Sequence, residues 1–560
     1  MRGRTPFGLA IGATAVAMIA AGCTSTPAET DETVSIIVDW GNPEQGLIPG
    51  ATSEVQGGKV IDALFTGLIN YDTETGAPVL VNAESITPND DSTMYTVTLR
   101  SGWKWHDGTD VTAQNYVDAW NYTAYEPNGL QNGTFFADIE GYEDVRNSGP
   151  DPDEDGPQEA PPPAEETMSG LEVVDDLTFN VTLSGPSNLW PIKVGYSAFM
   201  PLPDVFFDDP EAFGRNPIGN GPFKLVSWTE NVELKITKYE EYQGSDASKQ
   251  LTDVTFRVYE EDTAAYSDVQ AGTLDFQQQV PVAHLVGDKY ATDFPDTSIS
   301  KPVAVSEMMA IPFYQPAYQN VKLRQAISVA INREEITERI FNGSRIPMNG
   351  WVNPNVSGFE DGACGEFCTY DADRAKELLE EGDVTVNADG SFVSNGVTEA
   401  MLTIQYNADA SHKDWVDATC NSIQEATGIK CEGKPIPTFA ESRTIIEAHE
   451  ATGMFRAGWQ ADYPSIENWL NPLLRTGGSS NDGLYSNSEL DDVLAEADGT
   501  QDIEEAEALY REAELLLADE MPTIPMWHRA QQSVWGERMT VVPINIFGEL
   551  VLNEVEVAAS

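Results

Sequence analysis

The chain has 560 residues, 41% of them hydrophobic and 12 of them tryptophan. That is enough for several domains with cores of their own, and too apolar for a disordered protein. Its 91 acidic residues against 31 basic ones give a formal charge of −60, which excludes nucleic acid as a partner, because phosphate contacts need clustered Lys and Arg.

So acidic a chain serves solubility in a salty or cell-wall setting, or steers cationic substrates. At the N-terminus, Arg2 and Arg4 precede an apolar run, Phe7 to Ala21, closed by Ala20-Ala21-Gly22-Cys23. This is the layout of a secretory signal over residues 1–22. The small residues before the cysteine resemble a bacterial lipobox, which implies cleavage before Cys23, its acylation, and a membrane anchor on the extracytoplasmic face. No later run reaches the roughly 20 apolar residues of a spanning helix. Residues 23–33 are polar beyond the cysteine and read as a tether. Four further cysteines remain: Cys364, Cys368, Cys420 and Cys431. In an exported protein an even set points to disulfides with three possible pairings, and local spacing favours Cys364–Cys368 and Cys420–Cys431. A four-thiolate zinc site is the rival, but Cys-x3-Cys with Cys-x10-Cys is poor ligand spacing.

Val34 to Val38 is a β-branched strand, and Gly57 to Leu68 carries helical periodicity. Gly58-Lys59-Val60 only echoes a phosphate loop, lacking the hydroxyl after the Lys and the spaced upstream Gly. Tyr95 to Arg100 alternates as a strand, and Thr112 is placed to cap a helix that runs through Trp120. Residues 147–170 are Pro- and acid-rich, a solvated insertion. Asp151 to Gly156 matches half a calcium loop, yet the twelfth position is Pro162 where a bidentate Glu is needed, so no metal is expected. Strands follow at Leu177 to Leu183, Val232 to Tyr239 and Val254 to Tyr259, with a helix from Thr263 to Ala271. Val321 to Phe341 reads as one helix closed by Asn342-Gly343. Beyond it come helix Asp371–Glu380, strand Met401–Tyr406, helix His412–Ala426, a strand at 429–431 and helix Phe439–His449. This β-α-β pattern predicts a mixed sheet flanked by helices. Acidic helices at 488–497 and 503–518 precede Pro522-Thr523-Ile524-Pro525-Met526-Trp527-His528.

The most informative stretch is Phe455-Arg456-Ala457-Gly458-Trp459-Gln460-Ala461-Asp462-Tyr463-Pro464. As a strand it puts Arg456, Gly458, Gln460 and Asp462 on one face. Its cation and anion stand roughly 20 Å apart at about 3.3 Å per residue, too far to pair. Gly458 between them leaves room for another backbone. A zwitterionic ligand such as a short peptide suits this row; a half-buried strand whose charges find separate partners is the alternative. Five histidines without metal spacing, no Gly-x-Ser-x-Gly elbow and no reactive-cysteine signature make the chain a binder, not an enzyme.

The stretch resembles the ligand-binding strand of the bacterial family 5 solute-binding proteins, the oligopeptide- and dipeptide-binding lipoproteins of ABC importers. Tyr95 through Trp120, Pro217-Ile218-Gly219-Asn220-Gly221-Pro222, Val321 to Arg333 and the Pro522–Met526 segment resemble further signatures of that family. The resemblance implies an α/β, periplasmic-binding-protein-like type II fold (cluster C), with two lobes, a hinge and an extra small domain. Its segments would be 34–65 in the first lobe, 66–200 in the extra domain, 201–303 back in the first lobe, 304–521 in the second, and 522–560 in the first again. It further implies that Asp462 pairs with a peptide's amino terminus and Arg456 with the carboxyl terminus of some peptide lengths. Gly458, Trp459 and Gln460 would run beside the ligand, Glu54 and Val55 would contribute from the loop before the first helix, and Trp527 and His528 lie where the family has cleft-facing aromatics. No cofactor is implied. The expected partners are short peptides and the permease subunits of an importer, with the protein itself a monomer. Other family cargo (nickel complexes, haem, sugars, opines) and a lipid-anchored hydrolase are the alternatives.

Overall fold

Strands form where β-branched and aromatic residues alternate: Ser35–Trp40 buries Ile36, Val38 and Trp40 on one face. The computed structural model describes residues 33–43, 45–146, 162–408 and 410–558. The expected signal, Cys23, the tether up to residue 32 and residues 147–161 of the acidic insertion lie outside these. Among the described residues one 11-stranded mixed sheet dominates. From edge to edge it runs Cys431–Ile436, Leu402–Asn407, Met454–Gln460, Ser298–Ala310, Thr523–Trp535, Phe276–Gln277, Ser35–Trp40, Asp253–Val258, Glu233–Lys238 and Phe223–Thr229, with Arg345–Pro347 added alongside Thr523–Trp535.

Ser298–Ala310 and Thr523–Trp535, 13 residues each, connect the two ends of this sheet. They pair antiparallel from Ser298 opposite Val534 to Ala310 opposite Thr523, with register shifts between Pro302 and Ser306 and between Glu307 and Met308. Ile299 and Trp535 pack on one large core, whereas Ala304, Met309, Ile524 and Trp527 belong to a second. These two strands thus pass from one core to the other. The residues just after the expected boundary at 522, Ile524 and Trp527, lie in the second core. The expected small domain has its own four-stranded sheet, ordered Ala83–Pro88, Met94–Leu99, Thr178–Thr182, Leu171–Asp175. Its Tyr95, Trp120 and Phe179 nevertheless lie in the first core, so it shares that core rather than closing one of its own.

The first helix spans Val55–Leu64, two residues earlier than periodicity predicts and four shorter at the end. Glu54 starts it: its carboxylate accepts the amides of Gln56 (2.6 Å) and Gly57 (2.8 Å), filling free donors of the first turn. Its far end is held by the Gly219-Asn220-Gly221 segment. The Gly221 amide donates to Leu64 O (2.8 Å), and Asn220 bonds both the amide and the carbonyl of Thr66 at 2.9 Å. A Cβ on Gly219 would overlap the Leu64 carbonyl oxygen, which explains the glycine by close backbone approach.

The single helix expected over 321–341 is two, Val321–Val329 and Arg333–Phe341. Asn332 accepts the Glu335 amide as a new N-cap, and Arg333 turns inward to bond Ser328 O and Pro525 O. The strand expected at 429–431 instead runs Cys431–Ile436; its Gly433 and Pro435 mask it in the sequence and are tolerated because it is a sheet edge. Cys364 is bonded to Cys368 and Cys420 to Cys431, with Cα–Cα distances of 5.7 and 4.9 Å. The second bridge ties helix Lys413–Thr427 to that edge strand.

Gly219→Ala should lower stability by about 3 kcal/mol or more, since the methyl meets backbone that cannot swing aside. Thermal unfolding compared with Gly185→Ala, whose Cβ meets nothing within 4 Å, measures this; equal melting temperatures would refute the clamp.

Candidate functional site

A cavity of about 650 Å³ opens beside the N-terminal half of the sheet, within the size range of small-ligand sites. One face of helix Val55–Leu64 forms a wall with Lys59 and Asp62; Tyr71 and Tyr196 form another. The segment Gln460–Asp462 closes it from the end of the Met454–Gln460 strand, and Asn545–Glu549 from the C-terminal region. Glu54 and Val55 also line it.

Asp462 follows that strand directly, and its partner comes from the next helix, Glu467–Leu474. Asn468, 2% exposed, accepts the Asp462 amide with Oδ1 (3.0 Å) and donates from Nδ2 to the Asp462 carboxylate (3.0 Å). The same Oδ1 takes the Trp459 indole N–H at 3.3 Å, so one amide orients both residues. Among the described residues Asp462 has no ion-pair partner. Lys193 acts on it from a distance, but the Lys193 ammonium bonds Asp138. Burial pushes the Asp462 carboxyl up to about 6, against the opposing pull of the Asn468 hydrogen bond and of Lys193. The result is a carboxylate held in place by one neutral amide and short of a counter-charge.

Arg456 lies elsewhere. Its guanidinium folds back over Gly458, where a Cβ would stand 2.9 Å from Nη2, so the glycine makes room for this side chain rather than for a second backbone. Gly458 is opposite Glu307 in the sheet, and Glu307 is opposite Trp527. The Glu307 carboxylate accepts the Trp527 indole N–H (2.9 Å) and lies 3.8 Å from Arg345. Burial pushes Glu307 up, but Arg345, Arg456, Arg529 and the indole together outweigh it and hold the carboxyl below its ordinary value. Burial in turn lowers Arg456, and lowers Arg345 to about 10. Three guanidiniums thus surround one carboxylate, and the Nε atoms of Arg345 and Arg456 are buried without a hydrogen bond among the described residues.

Of the residues singled out in the sequence, the cavity wall brings together Asp462, Gln460, Glu54 and Val55. Trp459 is half-buried and packs against the second core. Trp527 is fully buried against Trp415 and Phe341, and His528 is 3% exposed, bonded to Ser306 Oγ at 2.8 Å. Burial drops the His528 imidazole to about 3, leaving it neutral. Neither residue lines the cavity: both belong to the interior of the long Thr523–Trp535 strand. Sequence reading missed Asn468, Asp62, Glu549, Glu307, Arg345 and Arg529. Asp62 sits one turn after Gly58 on the helix and carries a period signal only in hindsight; Glu307, Arg345 and Arg529 are brought in by sheet register, and Asn468 and Glu549 by the packing of a helix and a C-terminal loop, none of which a local pattern records.

The family model described as "Bacterial extracellular solute-binding proteins, family 5 Middle" matches residues 77–481. The chain belongs to that family. Family 5 proteins are extracytoplasmic solute-binding proteins, not enzymes, and their relatives serve peptide-type ABC importers. The oligopeptide-binding protein OppA of Bacillus subtilis (strain 168) is 25% identical over 510 residues, covering 90% of this chain and 89% of its own. The solved murein tripeptide binding protein MppA of Escherichia coli superposes with a TM-score of 0.75 at 20% identity, covering 94% of this chain and 99% of its own. NikZ of Campylobacter jejuni, solved with Ni(L-His), superposes at 0.72 and 18%, covering 93% and 99%. The fold is the type II binding-protein fold that the family-5 resemblance implies. No helix among the described residues is long and apolar enough to cross a membrane.

Glu307→Gln leaves the surrounding guanidiniums without their shared counter-charge and should cost about 3 kcal/mol of stability. Denaturant unfolding against wild type checks this; an unchanged midpoint would mean the arginines are neutralised by something else.

Proposed function

We propose that this family-5 protein is the lipid-anchored capture component of an ABC importer, binding short peptides in the Asp462 cavity by closure of its two lobes and delivering them to the membrane permease. The observation that carries the reading is the half-buried carboxylate of Asp462, fixed by Asn468 and without an ion-pair partner among the described residues. A cargo ammonium supplies the missing charge. Because an unpaired carboxylate is costly once water leaves, the closed state is favoured only with cargo aboard. The exposed edge of Gly458 to Gln460 is suited to main-chain hydrogen bonds that recognise a peptide without reading its side chains. Arg456 is the candidate partner for the carboxyl terminus of peptides long enough to reach it. Acylation of Cys23 would keep the protein, as a monomer, on the outer face of the membrane.

Asp462→Asn should weaken binding of a free-amine peptide by about 3 kcal/mol, roughly two decades in Kd, and N-acetylation of the peptide should do the same to wild type. Calorimetric titration decides this, and an unchanged Kd in either experiment removes Asp462 from the role. The sign of the pH effect follows from the raised carboxyl. Above about 6 the free carboxylate is ready for an ammonium; below it a proton must first leave. Affinity should therefore fall as pH drops through 6, towards about tenfold per pH unit, and Asp462→Asn should lose that component. Arg456→Ala should weaken some peptide lengths and spare others; equal losses at every length would count against a terminal-carboxylate contact.

A further inference from the structure

The segment Pro186–Lys193 follows strand Thr178–Thr182 of the small sheet, yet its side chains are divided between the two large cores. Trp190 packs in the first core, its ring centroid 4.8 Å from Tyr95 and 6.2 Å from Trp120. Leu189 and Ile192, 5% and 9% exposed, belong instead to the second. The four-residue helix Trp190–Lys193 produces the division, because residues three apart share a face and the one between them leaves from another. Beside it, Asn188 donates from Nδ2 to Thr500 O, just past helix Ser488–Gly499, whose Leu490 and Leu494 lie in the second core. A Cβ on Gly499 would stand 3.9 Å from the Pro186 Cβ.

Two further contacts support this one. Tyr71 packs against both cores and donates its hydroxyl to Ile192 O at 2.7 Å. The turn between strands Ile69–Tyr71 and Pro78–Leu80 reaches the residues beside Asp462, where a Cβ on Gly76 would stand 3.1 Å from the Pro464 Cβ. All of these contacts are made by the protein alone. Leu189 and Ile192 do not line the cavity, although Gly195 and Tyr196 just beyond them do. Two aliphatic side chains that would meet water if the cores drew apart favour keeping them together.

We propose that Pro186–Lys193 is a strap that draws the two lobes shut through Leu189 and Ile192, whatever the cargo. This rests on the lobe closure in the reading above and names what drives it. Closing is then a balance. The strap favours the shut state, while the Asp462 carboxylate, losing water without gaining a cation, opposes it. A cargo ammonium removes the opposition and leaves the strap to act. Because its side chains stand outside the cavity, the strap sets how firmly cargo is held without choosing among cargoes.

The Cβ separation at Pro186 and Gly499 falls within the roughly 3.5–4.5 Å that a disulfide spans, so Pro186→Cys with Gly499→Cys reports closure. Cys23→Ser in the same chain leaves no other free thiol, since the remaining four cysteines are bonded in pairs. Mass spectrometry follows the loss of the two thiols under mild oxidation, without cargo. The pair should cross-link, and adding Leu189→Ser with Ile192→Ser should slow this about tenfold or more. Leu189→Ala alone, a milder change, should slow it in the same direction. In otherwise wild-type protein without cargo, the serine pair should leave the melting temperature nearly unchanged, because an open strap already lies in water. No cross-link, or a rate that neither the serines nor the alanine moves, would overturn the strap. A large fall in melting temperature, or failure of the serine variant to fold, would make the segment a permanent part of the core and overturn it equally. Asp462→Asn should speed cross-linking; a rate slowed by the serines but unmoved by Asp462→Asn would support the strap and count against the charge role given to Asp462. Peptide titration is a separate measurement, and its failure would leave the cross-linking result as it is.

Discussion

The structure turns on one hydrogen-bonded pair, Asp462 with Asn468. A carboxylate removed from water needs either a counter-ion or several donors, and here it has a single neutral amide. Everything near it keeps that state. Lys193, the lysine that acts on it, is engaged by Asp138, the strand ends before Asp462, which lines the cavity, and Asn468 is locked by burial and by the Trp459 indole. An arginine in place of Asn468 would satisfy the acid permanently and close the site to an ammonium. The neutral partner orients Asp462 without discharging it.

The cluster around Glu307 has the opposite balance, with positive charge in excess. The acid-lined cavity lies beyond the end of the Met454–Gln460 strand, and this cationic patch lies beside Gly458, four residues before Asp462. Such a separation of charge suits the zwitterionic cargo proposed above.

Much of this was legible in the chain and some was not, for a common physical reason. Periodicity locates elements because burial is local: strands such as Ser35–Trp40 and helices such as Ala113–Ala124 declare themselves within a few residues. The alternation in Phe455–Pro464 locates the Met454–Gln460 strand, but the strand ends before Asp462, which lines the cavity while Arg456 does not. Terminations are harder. The break before Arg333 depends on where a buried guanidinium finds carbonyls nearly 200 residues away, and the edge strand Cys431–Ile436 hides behind a glycine and a proline that only its position excuses. Trp527 and His528 were placed by likeness to cleft-facing aromatics, yet depth within a sheet is set by what packs on both sides, which no local stretch contains. The charge balance of the cavity is non-local in the same sense, since Asp62 and Glu549 are separated by most of the chain.

The two long strands that join the cores are bonded to each other along almost their whole length, not strung side by side as loose linkers. A paired ribbon flexes easily out of its own plane and resists shearing within it, and its softest points are the two register slips, where ladder bonds are already missing. In the closure proposed above, such a ribbon would favour a single swing with little sideways play. A cargo held as proposed would then meet the same two surfaces in the same alignment at each closure, placing selectivity in the walls.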